Sequence, residues 1–292
     1  MNKNKGVFVL MAPYFTLYAV FILLPILLAG ALSFSNFNGV RFPDFTGLRN
    51  YVVLLTQDPV FLRNVLPNTL RFAVLAGLGG YALSFFLAWS LAQITPRIRT
   101  VFAVLLYLPS MTGGIILTAV WSIVFAGNES GYLNGLLMSW GFLPRPIQWL
   151  QDPDYLLPIM ILVSLWSSMG VGFLAMLAGI LNVDKELYDA ARIDGVRNRA
   201  QELIYVTIPS MRPQMLFGAV MAIVGTFQNG AIGPALTGSN PTPQYAGQLI
   251  VNHVEDYGFI RFEMGYAAAV SLALLAGIWL ISRLAWKVFG DE

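Results

Sequence analysis

The chain has 292 residues, 57% hydrophobic and only 11% charged, with a net charge of +2. An average soluble protein carries roughly 25% charged residues, so too few exist here to coat a soluble surface. That excludes an ordinary cytosolic enzyme, a disordered chain and a nucleic-acid binder. There is no cysteine, which removes disulfides and thiolate chemistry, and one histidine, His253, leaves little for a histidine metal site. The composition is that of a polytopic membrane protein.

A bilayer core needs about 20 mostly apolar residues per helix, because backbone groups in lipid must be satisfied within the segment. Six stretches qualify, at 7–32, 72–94, 101–126, 156–181, 215–235 and 266–284. The expected fold is therefore all-α, a single transmembrane domain over 1–292 with six spans. None has a charged residue in its interior; Arg71, Glu263 and Arg283 sit at span edges. The first run resembles a signal peptide, with Ala29-Gly30-Ala31 like a cleavage site, but it is longer than an h-region of roughly 7–15 residues and is expected to stay. With the N-terminus inside, the cytoplasmic connections hold Lys3, Lys5, Arg97, Arg99, Lys185, Arg192, Arg197, Arg199, Arg212, Arg283 and Lys287. The outer ones hold Arg41, Arg49, Arg63, Arg71, Arg145 and Arg261. This bias puts both termini in the cytoplasm.

The outer connections, about 33–71, 127–155 and 236–265, are rich in Gly, Pro, Asn and aromatics. Trp149, Tyr155 and Tyr132 are expected to form an outer interfacial belt, and Trp286 an inner one. Inside, 95–100 is a tight turn, and 182–213 is the sizeable feature. It reads as two short helices. Asp184 caps the first, with Leu187, Tyr188 and Ala191 on one face, and Gly195 ends it. The second runs about 198–207 with Ala200, Leu203, Ile204 and Thr207 on one face, stopped by Pro209 and Pro213. Helices this short are marginal alone in water, so they dock on a partner or lie on the membrane surface.

No GxxxxGK[ST] loop, HExxH or GxSxG occurs. The spans hold no carboxylate or histidine for a proton or sodium relay. Backbone carbonyls would still be able to hold an ion, but the expectation for a transporter built this way is that its energy comes from another subunit.

The run Glu186-Leu187-Tyr188-Asp189-Ala190-Ala191-Arg192-Ile193-Asp194-Gly195, with Ile208-Pro209 and Arg212-Pro213, resembles the EAA loop of ABC importer permeases. Asp189 stands where that family usually has Glu, and Ile208 where it usually has Leu. Gly47-Leu48-Arg49-Asn50-Tyr51, Asn68-Thr69, Gly131-Tyr132-Leu133-Asn134, Trp149-Leu150-Gln151-Asp152-Pro153 and Leu236-Thr237-Gly238 are similar, in order and spacing, to motifs of its carbohydrate-uptake class, on the MalF-like side. The resemblance implies the type I importer permease fold in a bacterial or archaeal cytoplasmic membrane. It implies a second homologous permease subunit, two ATPase subunits and an extracytoplasmic sugar-binding protein as partners. ATP and Mg would lie in the ATPase, with no cofactor, metal or catalytic residue in this chain. ATPase coupling would fall to Leu187, Tyr188, Asp189, Ala190, Ala191, Asp194, Gly195 and Pro209.

Sugar needs hydrogen-bonding groups, which the spans offer in two places: Ser164-Leu165-Trp166-Ser167-Ser168-Met169-Gly170 and Thr226-Phe227-Gln228-Asn229-Gly230. Ser167, Ser168, Phe227, Gln228 and Asn229 are the expected substrate contacts, the resemblance to the maltose permease pointing to the same stretches. Against this, Gln228 and Asn229 would also serve as glue between helices, and a serine can bond its own helix backbone. A secondary carrier or facilitator without an ATPase is the alternative function, and a scaffold subunit a third.

Overall fold

The computed structural model describes residues 3–112 and 114–289. Its helices, in chain order, are α1 (3–32), α2 (49–57), α3 (59–92), α4 (Pro96–Met111), α5 (Gly114–Val124), α6 (Tyr132–Ser139) and α7 (Pro153–Trp166). They continue as α8 (Val171–Leu181), α9 (Lys185–Ile193), α10 (199–210), α11 (Arg212–Gln228), α12 (Ile232–Thr237), α13 (250–260) and α14 (Met264–Phe289). Among the described residues one antiparallel pair of strands occurs, β1 (Ser35–Asn36) on β2 (Asp44–Phe45), with Ser35 opposite Phe45.

Leu10–Leu32, Phe61–Ala92 and Met264–Val288 are each long and apolar enough to cross a bilayer, and α7 with α8, bent by 44°, form a fourth such span if taken together. The expected third and fifth spans are helical but interrupted. The third ends its first helix at Met111, with Thr112 extended; Gly113 lies outside the described residues. Thr112 and the glycines that follow are weak helix formers. The fifth is the 17-residue α11, broken at Asn229 before α12 resumes. The second begins well before residue 72, at the start of α3.

Proline explains much of the helix geometry. Wider, i→i+5 turns at Ala19–Leu23, Phe61–Val65 and Leu203–Thr207 each end two residues before a proline: Pro25, Pro67 and Pro209. Proline donates no N–H and collides with the carbonyl four residues back. In each case that carbonyl belongs to the wide turn, whose looser ladder lets the helix continue. Pro209 therefore does not stop α10, contrary to expectation; the helix runs on to Ser210 and breaks at Met211 (φ −113°, ψ 19°).

Two compact units divide the chain: residues up to 62 with 253–276, and 63–252 with the remainder from 277. In the first, Asn50 Nδ2 donates to Ser33 O (2.8 Å) and Ser35 O (2.9 Å), and Tyr51 OH donates to Ser33 Oγ (2.8 Å). In the second, α8 and α11 cross where Gly172 faces Gly218; a Cβ on Gly172 would lie 3.2 Å from the Gly218 Cα. Small residues permit that approach, which dispersion rewards. One apolar cluster of this unit gathers Phe72, Leu156, Met160 and Val163, and another Phe173, Met176, Met211 and Met215. Asn68 Nδ2 donates to Tyr245 O and Ala246 O, both at 3.0 Å, and Thr69 Oγ1 accepts from Ile250 N–H at 3.1 Å. Asn134 accepts from the Trp149 indole at 2.8 Å, and Trp149 packs edge-on against Tyr155. Trp149 is thus tied into its own loop rather than standing free in a belt; Tyr132 and Trp286 are exposed.

Candidate functional site

A cavity of about 300 Å³ opens in the second unit where α7 breaks into α8. Its wall is mostly small: Gly77, Gly80, Ser84, Gly170, Gly172, Gly218 and Gly225 stand among Tyr81, Phe173 and Met176. Of the expected contacts, Ser167, Ser168 and Asn229 line it. Gly80 makes room for Ser168, whose Cβ would be only 2.9 Å from a Cβ added there. Asn229 reaches the wall because α11 ends at Gln228 and the chain turns (φ −79°, ψ 77°).

Both serines spend their hydroxyls locally. Ser167 Oγ donates to Val163 O (3.2 Å), and Ser168 Oγ to Leu165 O (2.8 Å). Their oxygens still accept. Ser164, one turn earlier on α7, also lines the cavity, and its buried Oγ has no hydrogen-bond partner. Phe227 lies instead on an apolar cavity of about 480 Å³ that shares Gly77, Tyr81, Ala222 and Thr226 with the first. Gln228 lines neither cavity and is exposed. The five residues are therefore distributed, three in one cavity, one in the next and one on the surface.

The 182–213 segment folds as a helix, a tight turn and a second helix. Asp184 accepts from Glu186 N–H at 3.0 Å and caps α9. Gly195 takes φ +99°, with its N–H donating to Arg192 O (3.2 Å) and Val196 N–H to Ala191 O (3.0 Å). That pair of bonds satisfies the last carbonyls of α9 and needs the left-handed residue at Gly195. Tyr188 and Ala191 are half-buried, but Leu187 is exposed. Asp189, Ala190, Asp194 and Pro209 are exposed too, and Ile193 is 88% exposed.

On α10 the inward face matches the expected one in part: Thr207 is buried and Leu203 half-buried. Glu202, Val206 and Thr207 are buried, whereas Ala200 and Ile204 are exposed. Glu202 is satisfied there by Arg192 (3.1 Å) and Arg199 (3.0 Å), which permits a carboxylate on the inward face. Thr207 Oγ1 donates to Glu202 O (3.3 Å) and accepts from Tyr188 OH (2.9 Å), joining α9 to α10.

The first unit hides a polar centre that no sequence pattern announced. Asp58 Oδ2 accepts from His253 Nε2–H (3.0 Å) and Tyr266 OH (2.7 Å), and Oδ1 from Phe61 N–H (2.9 Å). Burial alone would push the Asp58 carboxyl up, but bonds from His253, Phe61 and Tyr266 outweigh it and hold the group well below the usual carboxylate range. Tyr257 is pushed up to about 12, chiefly by burial and then by the Asp58 charge. The residues lie 195 and 208 positions apart in sequence, too far for any local signal. Among the described residues no group of three His, Cys, Asp or Glu is placed to hold a metal ion.

The model of the binding-protein-dependent transport system inner membrane component matches residues 80–285. The chain belongs to that family. It is 29% identical to the arabinooligosaccharides transport system permease protein AraP of Bacillus subtilis over 99% of this chain and 90% of that one. It is 30% identical to the lactose transport system permease protein LacF of Rhizobium radiobacter over 97% of this chain and 93% of that one. A chain of the bacterial alginate ABC transporter, crystallised with an alginate pentasaccharide-bound periplasmic protein, has the same fold (TM-score 0.82, 20% identity, 99% of this chain and 96% of that one).

Proposed function

We propose that the chain is the membrane-spanning permease subunit of an ATP-driven ABC importer for a carbohydrate. It forms half of the translocation pore and is not itself an enzyme. The observation that carries this reading is the 185–210 helix pair, whose exposed side offers Asp189, Ala190, Asp194 and the almost bare Ile193. An apolar side chain that open, between two carboxylates, suits a socket in another protein. The socket's owner is an ATPase subunit, two copies of which bind and hydrolyse ATP with Mg. Leu187, Tyr188, Ala191, Gly195 and Pro209 shape the same surface. A second homologous permease completes the pore, and an extracytoplasmic binding protein delivers the sugar. The membrane is the bacterial or archaeal cytoplasmic membrane, with both termini inside.

Oligosaccharide is the substrate class favoured by the relatives' own substrates and by the small-walled cavity. Ser167, Ser168 and Asn229 offer it polar groups there, while Phe227 lines the apolar cavity and Gln228 is exposed. The test is ATP-dependent oligosaccharide uptake into proteoliposomes holding the purified complex, with and without the binding protein. Uptake by the chain without an ATPase would restore the carrier alternative. Within the complex, Asn229→Leu is expected to raise half-saturation about tenfold, because an unmatched buried hydroxyl costs about 1–3 kcal/mol. Gln228→Leu is expected to leave half-saturation unchanged.

A further inference from the structure

Glu202 is a carboxylate whose side chain is only 10% exposed, although the arginines that hold it are both more than half exposed. Its Oε1 takes Arg192 Nε (3.2 Å) and Nη2 (3.1 Å), and its Oε2 takes Arg199 Nη1 (3.0 Å). Arg192 has a further acidic partner. Its Nη1 reaches Asp189 Oδ1 at 3.3 Å, across one turn of α9. Arg192 is therefore shared between a buried carboxylate and an exposed one, and the exposed one sits on the face assigned above to the ATPase.

We propose that Glu202 is a positioning residue for coupling: it engages two Arg192 nitrogens and leaves Asp189 only one longer bond from Arg192, which a basic group of the ATPase can displace. The inference rests on the reading of 185–210 as the ATPase-docking segment. Two hydrogen bonds from one guanidinium to a withdrawn carboxylate oxygen outweigh a single longer contact to an exposed one. When a cation of the partner takes Asp189, Arg192 gives up its weaker bond and keeps its stronger grip. Remove the Glu202 charge, and Arg192 pairs with Asp189 alone, so the partner must compete with a more firmly held cation. Arg199 stays available to neutralise Glu202, so the arrangement does not depend on Arg192 for its own balance.

The experiment measures the dissociation constant of the ATPase from the otherwise complete permease complex in nanodiscs. Glu202→Gln is expected to weaken binding about three- to fivefold, the scale of an exposed ion pair. In an Asp189→Asn background the same change is expected to do nothing further, because the group competed for is gone. Equal weakening in both backgrounds marks Glu202 as a structural ion pair and overturns the proposal. So does an unchanged constant in the parental background. Arg192→Gln gives a second reading, needed if Glu202→Gln does not assemble. It is expected to leave binding intact or tighten it up to about threefold, whereas a merely structural bridge predicts loosening. Failure of the parental complex to bind any ATPase would instead refute the functional reading on which this rests.

Discussion

Asp58 and Glu202 are both acidic side chains withdrawn from water, and they are withdrawn in different ways. Asp58 accepts from an imidazole, a phenol and a backbone amide, inside an aromatic shell in which the His253 and Tyr257 rings lie 4.6 Å apart. Among the described residues none of those donors has a second acidic partner. Glu202 instead meets two arginines that are each more than half exposed, one of them shared with Asp189. The first arrangement is closed and has one solution. The second is open, since Arg192 bonds two carboxylates at once and can give up Asp189 while keeping Glu202. A buried charge fixes a fold when its partners have nowhere else to go, and serves as a movable contact when they do.

The sharpest way to break this contrast is Asp58→Leu. It leaves the His253 nitrogen and Tyr266 hydroxyl buried without an acceptor, a change of about 3–5 kcal/mol by the precedent of broken buried pairs. Thermal unfolding of the detergent-purified chain should fall accordingly, and by clearly more than for Glu202→Gln. Equal losses would mean that Glu202 is as closed a centre as Asp58. Next comes Gly195→Pro, which forbids φ +99° and removes the N–H that donates to Arg192 O. Forcing proline into such a position costs about 3 kcal/mol. ATPase association should be lost, while hydrogen exchange at 253–260 stays at the parental rate. Slowed or quickened exchange there would show that the two acidic centres are not independent.

The smallest effect is the pH response. The folded Asp58 carboxyl lies below its ordinary value, so its contribution is complete above about pH 4 and is lost as pH falls towards the folded value. Tyr257, raised to about 12, contributes below about pH 10 and loses that contribution as pH rises through this range. Amide exchange across 253–260 is therefore expected to show no contribution from either group's titration between these limits. A step that vanishes in Asp58→Asn and lies near neutral pH would contradict the assignment.

Much of this was legible in the residues because it is local. Asp184 at a cap and Gly195 at a helix end are decided by their neighbours within a turn. The motifs at Asn50, Asn68 and Asn134 prove to be clamps, each amide bonding two or more backbone carbonyls of the outer connections. What escaped is non-local or depends on a helix boundary. The Asp58 centre joins residues from opposite ends of the chain. Nothing local marks Glu202 as buried, because its partner Arg192 lies on another helix. Gln228 and Asn229 look alike in sequence, yet α11 ends between them, so one is exposed and the other turns to the cavity. Ser164 carried a signal, since it lies one turn before Ser167 and Ser168 on the same face, but its unpartnered hydroxyl is visible only in three dimensions.

The first helix sets a different kind of constraint. No residue of Leu10–Leu32 is buried by the rest of the chain. Within this polypeptide, then, nothing reads the shape of those side chains; only their affinity for hydrocarbon is prescribed. Leucine, valine and phenylalanine are interchangeable there as far as the chain's own packing is concerned, whereas a single misplaced methyl at Gly172 is not. The protein thus carries two alphabets: a coarse one, oil or water, for Leu10–Leu32, and a fine one, counted in single carbon atoms, where α8 crosses α11.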